Sequence, residues 1–337
     1  MTNRERFHAT INNDPRLDRC PVVEWVFWWD ETIKCWEAEG MPKGMSNLDI
    51  QEYFGLDKNI PFWLPHYASD CPWKAGHGAP LIKDEADYRE IKKYLFPVDA
   101  IAQMEPSIEA ALPFSNSGDA ITFVTLEGFF WMPRRLFGIE PHMYAFYDYP
   151  VLYHRICEDL LEFHIKVLSQ FSQFITADFM TIAEDMSYNN GPMLSEVLFE
   201  EFIAPYYRRL IPEAKKHGVR VFVDTDGDFT KMMDWLIRAG IEGILPMERQ
   251  AGVDIVKLQS KYPDFLWLGG FDKMSLLKGK DAIDAEFERI LPAIRKGGYV
   301  PSVDHQTPPG VSMENYRYYV AKFKEIARVE RSVCNES

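Results

Sequence analysis

Asp224-Thr-Asp226-Gly227 and Asp304-His305 are the segments whose residue types could hold a divalent cation or move a proton. Alternation along a strand would set Asp224 and Asp226 on one face. Two carboxylates and an imidazole suit Zn²⁺ or another divalent ion. The same residues also read as an ordinary Asp-Gly turn and a histidine capping the loop before Pro308-Pro309. Further acids follow other strand-like runs: Glu127-Gly128, Glu184-Asp185, Glu248 and Asp272, with Arg249 and Lys273 as the nearby cations. Each acid alone could cap a helix. Gathered on one partly dry rim they repel, and each raises the others' pKa. A bound cation, a protonated carboxyl or a cationic substrate relieves that cost.

Aromatic residues cluster beside these acids. Trp25, Phe27, Trp28, Trp29 and Trp36 form one group, and Phe129-Phe130-Trp131 directly follows the run ending in Glu127. Such clusters pack cores, and at a rim they also hold flat, apolar or aromatic substrates. Arg134-Arg135 could grip a carboxylate bidentately or form a surface ion pair. His-x-x-x-His, a close cysteine pair and Gly-x-Ser-x-Gly are absent, so nucleophilic serine or cysteine catalysis has little support.

The elements that must position these groups are regular from about Ser117 onward. Strands are expected at Ile121–Leu126, Phe179–Ala183, Val219–Val223, Gly243–Pro246, Phe265–Leu268 and Tyr299–Val303, separated by amphipathic helices. Thr2-x-x-Glu5 predicts a capped first helix over Thr2–Asn12. Pro150 opens a long helix toward Phe174. One helix runs from about Ser195 to a cationic, glycine-capped end at Lys215-Lys-His-Gly218. The last, from Ser312, sets Tyr316, Tyr319, Val320, Phe323 and Ile326 at helical spacing. Adding strands at Cys20–Trp25 and Ile60–Tyr67 gives the eight of a (β/α)8 barrel, a single domain over residues 1–337 with an elaborated N-terminal quarter. Neither Gly-x-Gly-x-x-Gly nor a P-loop supports nucleotide binding on a doubly wound sheet.

Bulk properties narrow the partners. The 337 residues carry 37 basic and 51 acidic side chains, a net charge of −14, which disfavours nucleic acid and anionic membranes. At 47% hydrophobic residues there is ample material for a core. No apolar run approaches the roughly 20 residues that span a bilayer. The charged start and five scattered cysteines point to a reducing, cytoplasmic setting.

Glu184-Asp-Met-Ser-Tyr-Asn-Asn-Gly-Pro-Met193, Phe202-Ile-Ala-Pro-Tyr-Tyr207, Gly269-Gly-Phe-Asp-Lys273 and Gly298-Tyr-Val-Pro-Ser-Val-Asp-His305 resemble the uroporphyrinogen decarboxylase and corrinoid methyltransferase superfamily. Asn3-Arg-Glu-Arg-Phe7 and Asp18-Arg-Cys-Pro-Val22 look like its N-terminus. The resemblance implies a barrel with its site at the carboxyl ends of the strands. The decarboxylases carry Arg-Gln-Ala-Gly-Arg after the first strand; here Glu24-Trp-Val-Phe-Trp-Trp-Asp30 would repel a polycarboxylate. The methyltransferases bind zinc through His-x-Cys-Gly and a later cysteine. Asp224-Thr-Asp226-Gly227 and Asp304-His305 stand at those places, an oxygen-rich set suited to polarising an ether or alcohol oxygen.

The resemblance therefore implies a methyltransferase, the substrate-side component of an O-demethylase-type system. Its methyl donor would be a small methoxylated, aromatic compound, and its acceptor a partner corrinoid protein, since the chain lacks the Asp-x-His-x-x-Gly cobalamin motif. Glu184, Asp226 and His305 are the expected catalytic residues, and Asp224, Asp226 and His305 the expected ligands of a divalent metal such as Zn²⁺. Trp25, Trp28, Trp29, Glu127, Phe129, Trp131 and Tyr188 are expected around the substrate. A homodimer is also implied. The alternative is decarboxylation of a smaller carboxylated substrate, with Asp226 or His305 handling protons. A barrel that only binds a ligand is the third reading.

Overall fold

The computed structural model describes residues 1–72 and 78–328. Seven strands form one sheet: β1 (Lys58–Trp63), β2 (Ala120–Glu127), β3 (Phe179–Ala183), β4 (Arg220–Asp224), β5 (Gly243–Leu245), β6 (Leu266–Phe271) and β7 (Tyr299–Val303). They pair strictly in chain order and every pairing is parallel. Parallel neighbours need a crossover, which helices such as Ala100–Ser117, Pro150–Phe171 and Lys280–Lys296 provide. Strand order never reverses, so the sheet curls and collects all its carboxyl ends on one rim.

The expected eighth strand at Cys20–Trp25 does not form, so the sheet is not a complete (β/α)8 ring of strands. The segment still lies between the first and last strands, bound mostly through side chains. On one side the Asp57 amide donates to the Val22 carbonyl (2.8 Å) and Asn59 donates to the Glu24 carbonyl (2.8 Å). On the other, Ser302 Oγ and the Val303 amide donate to the Glu24 carboxylate at 2.7 and 3.2 Å. Pro21 has no N–H to give a ladder, and the Trp25 amide goes to Ser302 Oγ at 3.2 Å. Ladder hydrogen bonds are thus replaced by a buried carboxylate.

The helices follow local chemistry. The first spans Asn3–Ile11 behind a Thr2–Glu5 capping box. It sends Phe7 and Ile11 into the sheet's interior, where Phe7 stacks on Phe179 and Phe179 on Phe123, with ring centroids 5.1 and 4.6 Å apart. That apolar plug fills the amino end of the sheet and leaves the carboxyl end for polar groups. The single helix expected from Ser195 is two, Glu196–Phe202 and Ala204–Lys216. Pro205 lacks an amide and starts the chain on a new helix. The N-terminal quarter adds helices Asp30–Ala38, Asn47–Phe54 and Glu85–Lys92. Among the described residues no helix is long and apolar enough to cross a membrane.

Candidate active site

The acids at the carboxyl rim fall into two groups. In the first, the carboxylate is occupied by the protein. Glu184, just past β3, is buried and accepts hydrogen bonds from the amides of Phe129 (2.9 Å), Phe130 (2.7 Å) and Trp131 (3.2 Å) and from the Tyr207 hydroxyl (2.7 Å). Gly128 makes this approach feasible, because a Cβ there would collide with the Glu184 carboxylate and the Ala183 carbonyl. Burial pushes the Glu184 pKa up to about 7, against the pull of these donors. Asp304 works alike: it is buried and accepts from the amides of Arg249 (2.8 Å) and Lys273 (3.0 Å), tying the loops after β5 and β6 to β7. Asp272 caps a short helix through the Met274 amide (2.9 Å). Glu127 is only half tied: one oxygen lies 2.7 Å from Arg135 and 3.4 Å from His66, while the other is buried with no hydrogen-bond partner among the described residues.

The second group has few such partners. Asp226, Glu248 and His305 each offer a ligand atom, and the three atoms lie within 4.8 Å of one another. His305 Nε2 is 3.8 Å from Asp226 Oδ2. Glu248 accepts from the Gly227 amide at 3.0 Å and lies 3.6 Å from Lys273 Nζ. Burial, with Asp185 and Glu248 nearby, pushes the Asp226 pKa up to about 7. Asp185 and Asp224 are raised too, first by burial and then by neighbouring carboxylates. Burial and Lys273 lower the His305 pKa, which favours the neutral imidazole.

Asp224, expected as a ligand, stands outside this trio, and Glu248 takes its place. Asp224 ends β4, whereas Asp226 lies in the turn beyond it. Glu248 lies three residues past the end of β5, after a bend with Met247 at φ 63°. The Gly269-Gly270 pair sets that bend down: Gly270 N donates to the Pro246 carbonyl (2.9 Å), and a Cβ on Gly269 would strike the same oxygen. The sequence signal for Glu248 was its membership in the strand-end acids.

A two-stranded hairpin, Ser187–Tyr188 with Gly191–Pro192, lies over the Asp226 turn. Ser187 Oγ donates to the Asp226 carbonyl (2.5 Å) and the Asp228 amide to the Tyr188 carbonyl (2.9 Å). Gly227 has φ +82°, and a Cβ there would sit 2.6 Å from Tyr188 Cα, so glycine permits the close docking. Tyr188 is exposed.

The expected aromatic residues separate in the same way. Trp25 is half-buried, donates to the Val303 carbonyl (2.9 Å) and meets His305 edge-to-face with centroids 6.5 Å apart. Trp131 is half-buried with the Arg134 guanidinium 5.0 Å over its ring. Trp28 and Phe129 are corrections: both are core residues. Trp28 packs among Trp36, Phe54 and Tyr316 and donates to Tyr316 OH (3.0 Å). Phe129 stacks on Tyr206 and is fully buried. Trp29 is exposed at the N-cap of helix Asp30–Ala38. A run of adjacent aromatics alternates between core and surface, so adjacency in sequence does not make one wall.

Two carboxylates and a neutral imidazole at strand ends form a nitrogen–oxygen donor set that fits a divalent ion. No cysteine belongs to the cluster.

Comparison with known proteins agrees with this architecture. No curated protein matches the chain by sequence. A methyltransferase from Methanosarcina mazei superposes over 96% of this chain and 99% of its own with a TM-score of 0.71, at 19% identity, which is a likeness of fold. The 3-keto-D-glucoside 4-epimerase YcjR from E. coli covers 74% of this chain and 98% of its own at 13% identity, and its TM-score of 0.42 is too low to argue from. The family model for uroporphyrinogen decarboxylase matches residues 119–326, the stretch that builds β2 to β7 and the whole acidic rim. That match spans more than half of the chain, which therefore belongs to the uroporphyrinogen decarboxylase (URO-D) family.

Proposed function

We propose that the chain is a methyltransferase, the substrate-side component of an O-demethylase-type system, which moves a methyl group from a small methoxylated aromatic compound to a corrinoid on a separate protein. One observation carries the reading: Asp226, Glu248 and His305 converge within 4.8 Å at the carboxyl rim with no thiolate among them. A divalent ion bound there would act as a Lewis acid on the oxygen that loses its methyl group. The URO-D family and the methyltransferase neighbour support the reading, as does an acidic rim that a polycarboxylate would avoid.

The residues divide the work. Asp226, Glu248 and His305 offer the donor atoms, with His305 held neutral and its lone pair available. Asp224, whose carboxyl favours its protonated form beside Asp185 and Asp226, can give a proton to the departing oxygen. Trp25 and the exposed Tyr188 flank the cluster and would shield the methyl group from water. Glu184 and Asp304 hold the loops in place and take no part in the bond change. The donor's C–O bond breaks with its electron pair left on oxygen, and the methyl carbon passes to the partner's nucleophile.

The test is incubation with a reduced corrinoid protein and a panel of methoxyarenes while the corrinoid absorbance is followed. A spectral change that needs the wild-type chain and is lost in His305→Ala supports the reading. No change with any methylated donor sinks it, and CO₂ release from a small carboxylic acid in a metal-independent reaction would replace it with decarboxylation.

A further inference from the structure

Arg134 and Arg135 are adjacent in sequence and have different surroundings. Arg135 is occupied: its Nη1 lies 2.7 Å from Glu127 and 2.9 Å from His66 Nε2, and its guanidinium covers the Tyr67 ring at 5.4 Å. Arg134 is half-buried, and among the described residues no carboxylate oxygen comes within 4.0 Å of it. Its polar contacts are a long one to the Asp185 carbonyl (3.4 Å) and one to Met193 Sδ (4.0 Å), with the Trp131 ring 5.0 Å below. Loss of hydration lowers its pKa, against the pull of the nearby Asp185 charge. A guanidinium has five donors in a planar fork, and among the described residues a single protein oxygen meets them. Partly burying a cation with so few hydrogen-bond acceptors is costly, and an anionic ligand would offset that cost.

Position points the same way. Asp185 sits between Arg134 and the cluster: its carbonyl faces Arg134, and its carboxylate lies 3.5 Å from the Asp226 amide. Arg134 and the Asp226 turn are therefore joined through the single residue Asp185, on the same side of the rim. Trp131 packs against the guanidinium, with its ring centroid 5.0 Å from Arg134 Cζ. Asp185, Asp224 and Asp226 limit the ligand's charge: one carboxylate facing Arg134 is tolerated, whereas several would meet these acids.

We propose that Arg134, seated on Trp131, anchors a carboxylate carried by the methyl donor, which makes the donor a monoanionic methoxyarene. This inference rests on the methyl-transfer reading for the identity of the ligand. It implies bidentate recognition, which a lysine reproduces only in part.

The experiment compares 4-methoxybenzoate with 4-methoxybenzamide, first by calorimetric binding to the purified chain and then as methyl donors. Wild type should bind the carboxylate on the order of 10- to 100-fold more tightly than the amide, as expected for a charged hydrogen-bonded pair. Arg134→Gln should bring that ratio near one, and Arg134→Lys should leave it in between. In turnover the same preference should appear in KM more than in kcat. Equal binding of the two by wild type, or an unchanged ratio in Arg134→Gln, overturns the inference, even if methyl transfer from neutral methoxyarenes is found. An Arg134-dependent preference in binding without methyl transfer upholds the anchor and overturns the methyltransferase reading instead.

Discussion

Glu184 and Asp226 lie on the same rim and carry the same charge, and both are pushed to a pKa of about 7. Their surroundings are opposite. Glu184 faces three backbone amides and a tyrosine hydroxyl. Asp226 faces Asp185, Glu248 and a histidine at 3.8 Å. A carboxylate filled with amide donors is a structural tie; one surrounded by other acids has its valence open for a ligand. Asp304 belongs with Glu184 and Glu248 with Asp226. Hydrogen-bond partners, more than burial or charge, divide the rim into scaffold and site.

Four measurements test that contrast. The largest effect is expected from Glu184→Ala, which strands three buried donors and one half-buried one and should cost about 3–5 kcal/mol in a denaturant titration; an effect under about 1 kcal/mol would remove Glu184 from the scaffold. Next, His305→Ala should weaken binding of a divalent ion by more than roughly 100-fold, beyond the usual cost of losing an outer partner, as read by titration with Zn²⁺. Equal affinity in wild type and variant would disconnect His305 from the cluster. The third effect is a pH dependence. Protons and metal compete for Asp226, whose pKa is near 7, so affinity should fall about tenfold per pH unit below that value and level off above it. A flat profile from pH 5.5 to 7 would mean Asp226 is not a ligand. The smallest is Asp224→Asn, which replaces a carboxyl that burial and its acidic neighbours already hold protonated and should change the stability of the metal-free protein by about 1 kcal/mol or less. A loss as large as that of Glu184→Ala would erase the distinction between the two groups.

Much of this was legible in the chain. Strand-end acids, the capping box at Thr2 and the proline at the start of helix Pro150–Phe171 are local signals, and local chemistry carries them into the structure. The glycine motifs were also visible, though not their purpose: Gly128 admits the Glu184 carboxylate, and Gly269 lets the Pro246 loop come down. The segment Cys20–Trp25 misled because its apolar alternation resembles a strand, while Pro21 and the Glu24 side chain hold it by other bonds. Trp28 and Phe129 misled for a different reason, since an aromatic residue looks the same in sequence whether it faces a core or a ligand.

The sequence by itself determined a parallel βα order, a rim supplied with acids, and a chain whose charge disfavours polyanions. Periodicity, caps and turns act over a few residues, so they can be read along the chain. Only the tertiary structure decided which acids meet amides and which meet one another. Residues 226, 248 and 305 come from three separate strand ends, and the curl of the sheet brings them within 4.8 Å. The same curl put Glu184 under the amides of residues 129–131 and left Arg134 beside Asp185 without a carboxylate partner. Those are through-space relations between distant segments, and nothing local to any one of them specifies the others.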